Sequence, residues 1–321
     1  MAAIFGQEVV MEITDLKGNQ VLDARGLRVD FDVRHIEGFS VANVSVYNLN
    51  ETTIGNLIGA KDRYCTIKVR FHDGPYVTIM DKFYISNALD QRLVPNSITQ
   101  LYLYDSARLI YLEQQIDVDV EGYVSLKSMI DTIMQKINFT GKIHYQSWPR
   151  GLAAHKTPRR KANLQGSVQQ ILRELGKEYT FNVYTVHGGF LLIYKPKLDQ
   201  VHLTDLDKLP VIELHTDNMR ANPMLAPAQL NITSNLDPNI QPGSVVDIRN
   251  LITAGSNTEA ETLQLADQYL ANNIAGYSRY QILSCQHKGS NFTGDWFTMA
   301  NGTAPTHGKV MPTQTWFKNG N

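Results

Sequence analysis

Two pairs of acids stand at strand spacing, Asp30 with Asp32 and Asp117 with Asp119. Paired carboxylates can divide the acid and base work of glycoside hydrolysis, but the pairing that matters is spatial, and residues two apart on a strand share one solvated face. The nine histidines form no HxxxH or HExxH arrangement, and two cysteines alone make no zinc site. Cys65 and Cys285 lie in "RYCTIKV" and "QILSCQH", where apolar and β-type neighbours point to buried free thiols rather than a bridge. "GNLIGAKD" at Gly55 has glycines four apart but lacks the Ser or Thr of a phosphate loop, and no GxSxG elbow occurs. No catalytic residue, metal ligand or cofactor site is expected. The conspicuous charge run is "HKTPRRK", in a stretch punctuated by Pro149, Gly151 and Pro158. Its Lys156, Arg159, Arg160 and Lys161 form a candidate docking patch on a loop, which without interleaved aromatics is a poor single-strand binding site.

The elements that would carry these residues fall into three stretches of a 321-residue chain, long enough for two or three domains that each bury a core. Residues 1–105 alternate at period two. "LRVDFDVRH" sets Leu27, Val29, Phe31 and Val33 against Arg28, Asp30, Asp32 and Arg34, and four further segments repeat the pattern between turn clusters, as in a closed or sandwiched β domain. "NETTIGNLIG" interrupts them with a short helix, Asn50 as its cap and Ile54, Leu57 and Ile58 as its apolar residues.

Residues 106–200 read as a small α+β domain. Ser125 caps a helix whose apolar face is Leu126, Met129, Ile130, Ile133, Met134 and Ile137. A second helix runs from Ser167 to Leu175, with Gly176 expected as its left-handed C-terminal cap, and a hairpin turns across Gly188 and Gly189. Period two returns from about Leu209, giving a second β domain over 201–302 with one inserted helix at about 258–272; residues 303–321 read as an arm.

The formal net charge is −1, which argues against a dedicated nucleic-acid binder, but its distribution is uneven. Residues 1–105 carry 10 basic and 13 acidic side chains, residues 106–200 carry 13 and 8, and residues 201–321 carry 7 and 10. No basic flank followed by a long apolar run opens the chain, and no membrane-length apolar stretch occurs, so a soluble protein without a signal peptide or membrane insertion is expected.

One stretch is unusually constrained. In "SNLDPNIQPGSVVDIRNL", Asp237, Pro238, Pro242 and Gly243 set a rigid corner between two strands: Pro fixes φ and Gly supplies a special backbone angle, so that the strand beginning at Val245 enters its sheet in one register.

Two segments carry a resemblance. "FSVANVSVYNLNETTIGNLI" is similar to the pattern of bacteriophage tail hub proteins, a strand ending in Tyr47, Asn48 and Leu49 followed by a short helix that the family caps with a threonine, here Thr53. "LDPNIQPGSVVDI" resembles a segment that opens a late strand in the same proteins, and "NFTGDWFTM" with Trp296 keeps their order. The likeness is to the hub of Mu-like contractile tails and spans about residues 10–302; "DNMRANPMLAP", with only Pro223 in a comparable place, and the helix near 258–272 depart from it. The resemblance implies a mainly β fold, two tail-tube-like β-barrels packed with a small α+β domain. It implies a structural homotrimer at the distal end of a virion tail, assembled in the host cytoplasm, whose six barrels join a six-fold tube to a three-fold spike. Expected partners are other copies of the chain, the central spike, the tail tube or distal tail protein, other baseplate subunits and the tape measure, with DNA passing through the channel without specific binding. A tail-associated cell-wall glycan hydrolase of the same shape is the alternative; a tail tube subunit would need only one barrel.

Overall fold

Alternating side chains build the first β unit. The computed structural model describes residues 7–15, 17–59, 62–71, 74–93, 96–120, 124–141, 143–146, 162–179, 181–186, 189–194, 211–221, 223–226, 229–254, 279–293 and 296–303. Seven strands open the chain: β1 (Gln7–Asp15), β2 (Gln20–Asp23), β3 (Val29–Ile36), β4 (Phe39–Tyr47), β5 (Arg63–Phe71), β6 (Val77–Leu93) and β7 (Asn96–Asp105). They pair antiparallel in the order β3-β4-β7-β6-β5-β1-β2. On β3 the residues Val29, Phe31, Val33 and His35 are buried and the charged residues between them face out. Helix α1 (Glu51–Gly59) lies between β4 and β5. Its Ile54 and Leu57 enter the core with Leu49, whereas Ile58, expected beside them, is 53% exposed; a nine-residue helix offers the sheet only one narrow stripe.

A π-helical turn, Arg108–Leu112, follows β7 and was not signalled by the sequence. It leads into β8 (Gln115–Val120), which pairs antiparallel with β10 (Ala162–Ser167). Strand β12 (Gly189–Tyr194) runs parallel to β9 (Ile143–Gln146) and antiparallel to β11 (Phe181–Val186). Helices α2 (Leu126–Lys136) and α3 (Val168–Tyr179) complete this α+β unit. Ser125 caps α2 as expected, accepting from the Ser128 amide at 3.1 Å, and the six apolar residues assigned to its face are all buried.

Gly176 does not end α3. The helix continues to Tyr179 with Gly176 inside it, where a Cβ would stand 2.5 Å from the Phe181 carbonyl oxygen. The glycine is needed for close approach of α3 to β11, not for a left-handed angle. Gly189 likewise belongs to β12, paired with Val186, rather than to the hairpin turn; Gly188 lies outside the described residues.

The last stretch contributes β13 (Val211–Glu213), β14 (Met224–Ala226), β15 (Gln229–Asn235), β16 (Val245–Asp247), β17 (Arg279–Ser290) and β18 (Phe297–Thr303), with a short helix α4 (Arg249–Ala254). These strands do not stand apart from the first unit. The ladder continues β14-β15-β18-β17-β3, and β17 is shared. Its first residues, Arg279 to Gln281, pair with β16, and Cys285 to Ser290 pair with β3 on the same edge. One twelve-residue strand thus pairs along the same edge with a strand of each β unit in succession. The helix expected at about 258–272 and the arm beyond Thr303 lie outside the described residues.

Candidate functional site: the junction of the two β units

The corner between β15 and β16 is tied down at almost every residue. The Asp237 carboxylate accepts from the Asn239 amide at 2.9 Å, and the Asp237 carbonyl accepts from the Ile240 amide at 3.2 Å. The Ser244 hydroxyl donates to the Gln241 carbonyl at 2.7 Å, and the Gln241 side chain donates to the Pro238 carbonyl at 3.1 Å. Gly243 has φ +88°, a left-handed angle that disfavours any Cβ, and its amide donates to the Ile282 carbonyl at 2.8 Å. Pro238, Pro242 and Gly243 are all buried.

These restraints hold two cores in one relation. Leu236, just before the corner, belongs to the core of the first β unit, whereas Ile240, Val246 and Ile248 belong to the core of the second. β15 and β16 are not neighbours: they flank the β17–β18 pair, so the corner crosses that pair. Trp296, just before β18, also crosses over. It is 1% exposed and sits edge-on to Phe31 at 6.1 Å and to Phe71 at 5.4 Å between ring centres, with its indole N–H donated to the Ser290 carbonyl.

Beneath the corner lies a buried polar network. Thr298 Oγ1 accepts from the Asp237 amide at 3.0 Å and lies 3.0 Å from His287 Nδ1. The Thr298 hydroxyl also reaches the Asp237 carbonyl at 3.5 Å. On the other side of the ring, His287 Nε2 lies 3.6 Å from Cys285 Sγ. The His287 ring lies 5.8 Å from that of His35 on β3. Burial, with a smaller contribution from His35, lowers the His287 pKa to about 3, so the imidazole is neutral. Burial alone raises both cysteine thiols above their ordinary range, and Cys65 and Cys285 are free and buried, as the sequence implied.

The network also reaches the α+β unit. Ser40 on β4 donates its hydroxyl to the Thr185 carbonyl of β11 at 3.0 Å, and its amide donates to Thr185 Oγ1 at 3.2 Å. Because that hydroxyl proton is committed to Thr185, His35 Nδ1, 2.8 Å away, is the donor to Ser40. The Gly38 amide donates to the Val183 carbonyl at 2.8 Å, completing a short clasp between the β3–β4 turn and β11.

The residues that carried the hub resemblance cluster at the far end of β4. Tyr47 donates its hydroxyl to Asp30 at 2.7 Å and lies under the Arg28 guanidinium, 4.1 Å from the ring centre. Asn48, at φ +58°, donates its amide to the Ser97 carbonyl at 2.9 Å, and its side-chain oxygen accepts from the Ser97 amide at 3.2 Å. Leu49 is buried. The cap of α1 is Asn50, as local reading of the residues had it, since Asn50 Oδ1 accepts from the Thr53 amide at 2.7 Å; Thr53 is the capped residue rather than the cap.

Both acid pairs are engaged. Asp30 accepts from Arg28, Tyr47 and Ser290, and Asp32 accepts from Arg34 and Gln286. Burial pushes the Asp32 pKa up, but the bonds from Arg34 and Gln286 outweigh it and hold the carboxyl below its ordinary value. Asn163 bridges Asp117 and Asp119 on the outer face of β8. Among the described residues no group of three or more His, Cys, Asp or Glu is placed to hold a metal ion, and no helix is long and apolar enough to cross a membrane. Lys156, Arg159, Arg160 and Lys161 lie outside the described residues.

No family model matches this sequence, and no curated protein matches it either. Solved structures do. The 43 kDa tail protein of prophage MuSo2 from Shewanella oneidensis is similar at a TM-score of 0.54, over 93% of this chain and 98% of that one, with 9% identity. A tail protein from Neisseria meningitidis MC58 is similar at 0.52, over 92% and 96%, with 10% identity. A type VI secretion component from E. coli, described as structurally similar to the T4 bacteriophage tail proteins gp27 and gp5, is similar at 0.53, over 92% and 76%, with 6% identity. The fold is that of these tail proteins. A chain of the Francisella PdpA–VgrG complex shares it at 0.51, over 93% and 58%, with 9% identity.

At such identities the likeness is one of backbone path. The residues that join the tail-protein fold's parts in this chain are His35, Ser40, Thr185, His287 and Thr298. Sequence reasoning missed all five, because each sits at an inward position of a strand among apolar residues and nothing in its local pattern marks a polar network. The available signal was the unusual count of inward polar residues near the ends of β3 and β17.

Proposed function

We propose that the chain is a structural hub of a phage tail or related contractile machine, acting through geometry and without catalysis. The observation that supports this is the match of almost the whole chain to tail proteins, together with the shared strand β17, which pairs with a strand of each of the chain's two β units. Three such chains present six β units in a ring, which reconciles a six-fold tube with a three-fold spike. The proposed parts are a first β domain over 1–105, an α+β domain over 106–200, a second β domain over 201–302 and an arm over 303–321.

In this reading the ring sits at the distal end of the tail, contacts a central spike and a tube or distal tail protein, and leaves a channel for DNA. The likeness to a chain of a VgrG complex supports the spike as partner. The acidic balance of the two β stretches would keep a polyanion from adhering to the channel wall. Much of that acidity is locally balanced, since Glu8, Glu12, Asp30 and Asp32 face Arg70, Lys68, Arg28 and Arg34, and the wall would therefore repel DNA weakly rather than strongly.

The test is the mass and class-averaged symmetry of the purified chain, alone and with a trimeric spike protein. Three copies around an open channel, with six lobes, are expected at least in the presence of the spike. A monomer in both samples, combined with turnover of peptidoglycan, would replace this reading with the hydrolase.

A further inference from the structure

The imidazoles of His35 and His287 meet where all three parts of the chain meet. His287 is bonded through Thr298 to the Asp237 amide of the corner, and His35 through Ser40 to Thr185 of β11. Both rings are buried, 3% exposed for His35 and 0% for His287. We propose that this pair is an acid-released latch: proton uptake by His287 loosens the corner and the clasp on β11 together.

The chemistry follows from the burial of the ring and the contacts on its two nitrogens. His287 Nδ1 is an acceptor only while the ring is neutral. The imidazolium carries a donor on both nitrogens, so neither accepts any longer, and the Thr298 hydroxyl is left the Asp237 carbonyl 3.5 Å away, a poorer bond. The new charge is also buried and lies 5.8 Å from the His35 ring, which already carries a proton on Nδ1.

The surroundings do little to offset it. On its own strand His287 faces Cys285, whose thiol burial keeps protonated. From β3 it faces His35, and β6 adds the uncharged ring of Phe83, 6.4 Å from His35. The register brings buried Asp105 of β7 to Phe83, at the end of the row containing His35 and Ser40. His35 itself opposes a charge on His287. From β11 comes Tyr184, whose hydroxyl stays protonated; Glu37 of the β3–β4 turn lies toward that tyrosine. The Asp237 carboxylate is occupied by Asn239.

A closed latch therefore excludes the proton, while an opened one exposes an imidazole of ordinary pKa, about 6.5. The folded-state pKa is the lower one, so the closed form is fully favoured above 6.5 and loses ground as pH falls toward the closed-state value of about 3. For one proton the open population grows about tenfold per pH unit below 6.5, or about 30-fold between pH 7.5 and 5.

The test is amide hydrogen exchange of the full chain between pH 7.5 and 5, corrected for intrinsic rates and read at Gly38, Ser40 and Asp237. The expected result is a rise in opening of about 30-fold at all three amides, and no such rise in His287→Asn, which keeps an acceptor toward Thr298 but cannot titrate. Equal rises in both proteins, or none in the native chain, would overturn the proposal. Should His287→Asn fail to fold, the His287 ring proton resonance of the native chain decides: no titration down to pH 4.5 supports the latch, and a midpoint near 6.5 refutes it. Neither outcome depends on the hub reading, since the measurement is made on the chain alone.

Discussion

Asn50 and Gly243 each fix a backbone, for different reasons. Asn50 supplies an oxygen to the Thr53 amide that begins α1, so Asn50→Ala leaves that donor to water and is expected to cost about 1 kcal/mol. Gly243 supplies no side chain at φ +88°, where its buried amide also bonds Ile282. Gly243→Ala is expected to cost at least as much, about 1–2 kcal/mol, because strain at a left-handed angle adds to crowding in a buried turn. Denaturant titration of both variants checks this; an unchanged midpoint for Gly243→Ala would show that the corner adapts. The two positions also differ in legibility. The cap is a local rule and was readable from "NETTIGNLIG". The corner's rigidity was readable from its prolines, but its attachment to two different cores was not, because Leu236 and Ile240 look alike in sequence.

Among the elements, α3 shows how tertiary contact overrides local grammar. A glycine after an amphipathic run ordinarily signals a helix end, yet here α3 passes through Gly176 to Tyr179 because the chain must turn back closely as β11. Gly176→Ala would gain up to about 1 kcal/mol in helix propensity but forces a Cβ to within 2.5 Å of the Phe181 carbonyl oxygen. The expected net effect is destabilisation by about 1–3 kcal/mol, of the overpacking kind, with α3 displaced from β11. Calorimetry of the variant tests it, and a raised Tm would show that the carbonyl yields. By contrast the faces of α2 and of β3 were fully legible, since burial there follows a simple period of 3.6 or 2.

At the scale of the whole molecule, Trp296 enters from the last stretch of the sequence and fills the core of the first. Trp296→Ala is expected to cost about 3–5 kcal/mol. Its signature is spatial: amides of β3 and β5, which carry Phe31 and Phe71, should lose exchange protection, while the core of α2 and α3 keeps its own. Loss confined to β15 and β18 would mean that the first core does not depend on the tryptophan.

The sequence by itself determined the β-rich stretches, the α+β insert with its two helices, the buried thiols and the stiffness of the corner, because each rests on neighbours within a few residues. Tertiary structure alone decided that β17 pairs with strands of both β units, that Leu236 and Trp296 belong to a core made by the first hundred residues, and that two histidines meet at the junction. Those outcomes depend on which strand lies beside which. Pairing energies of that kind are spread over many backbone hydrogen bonds of equal chemistry, and no local residue pattern singles out one partner strand from another.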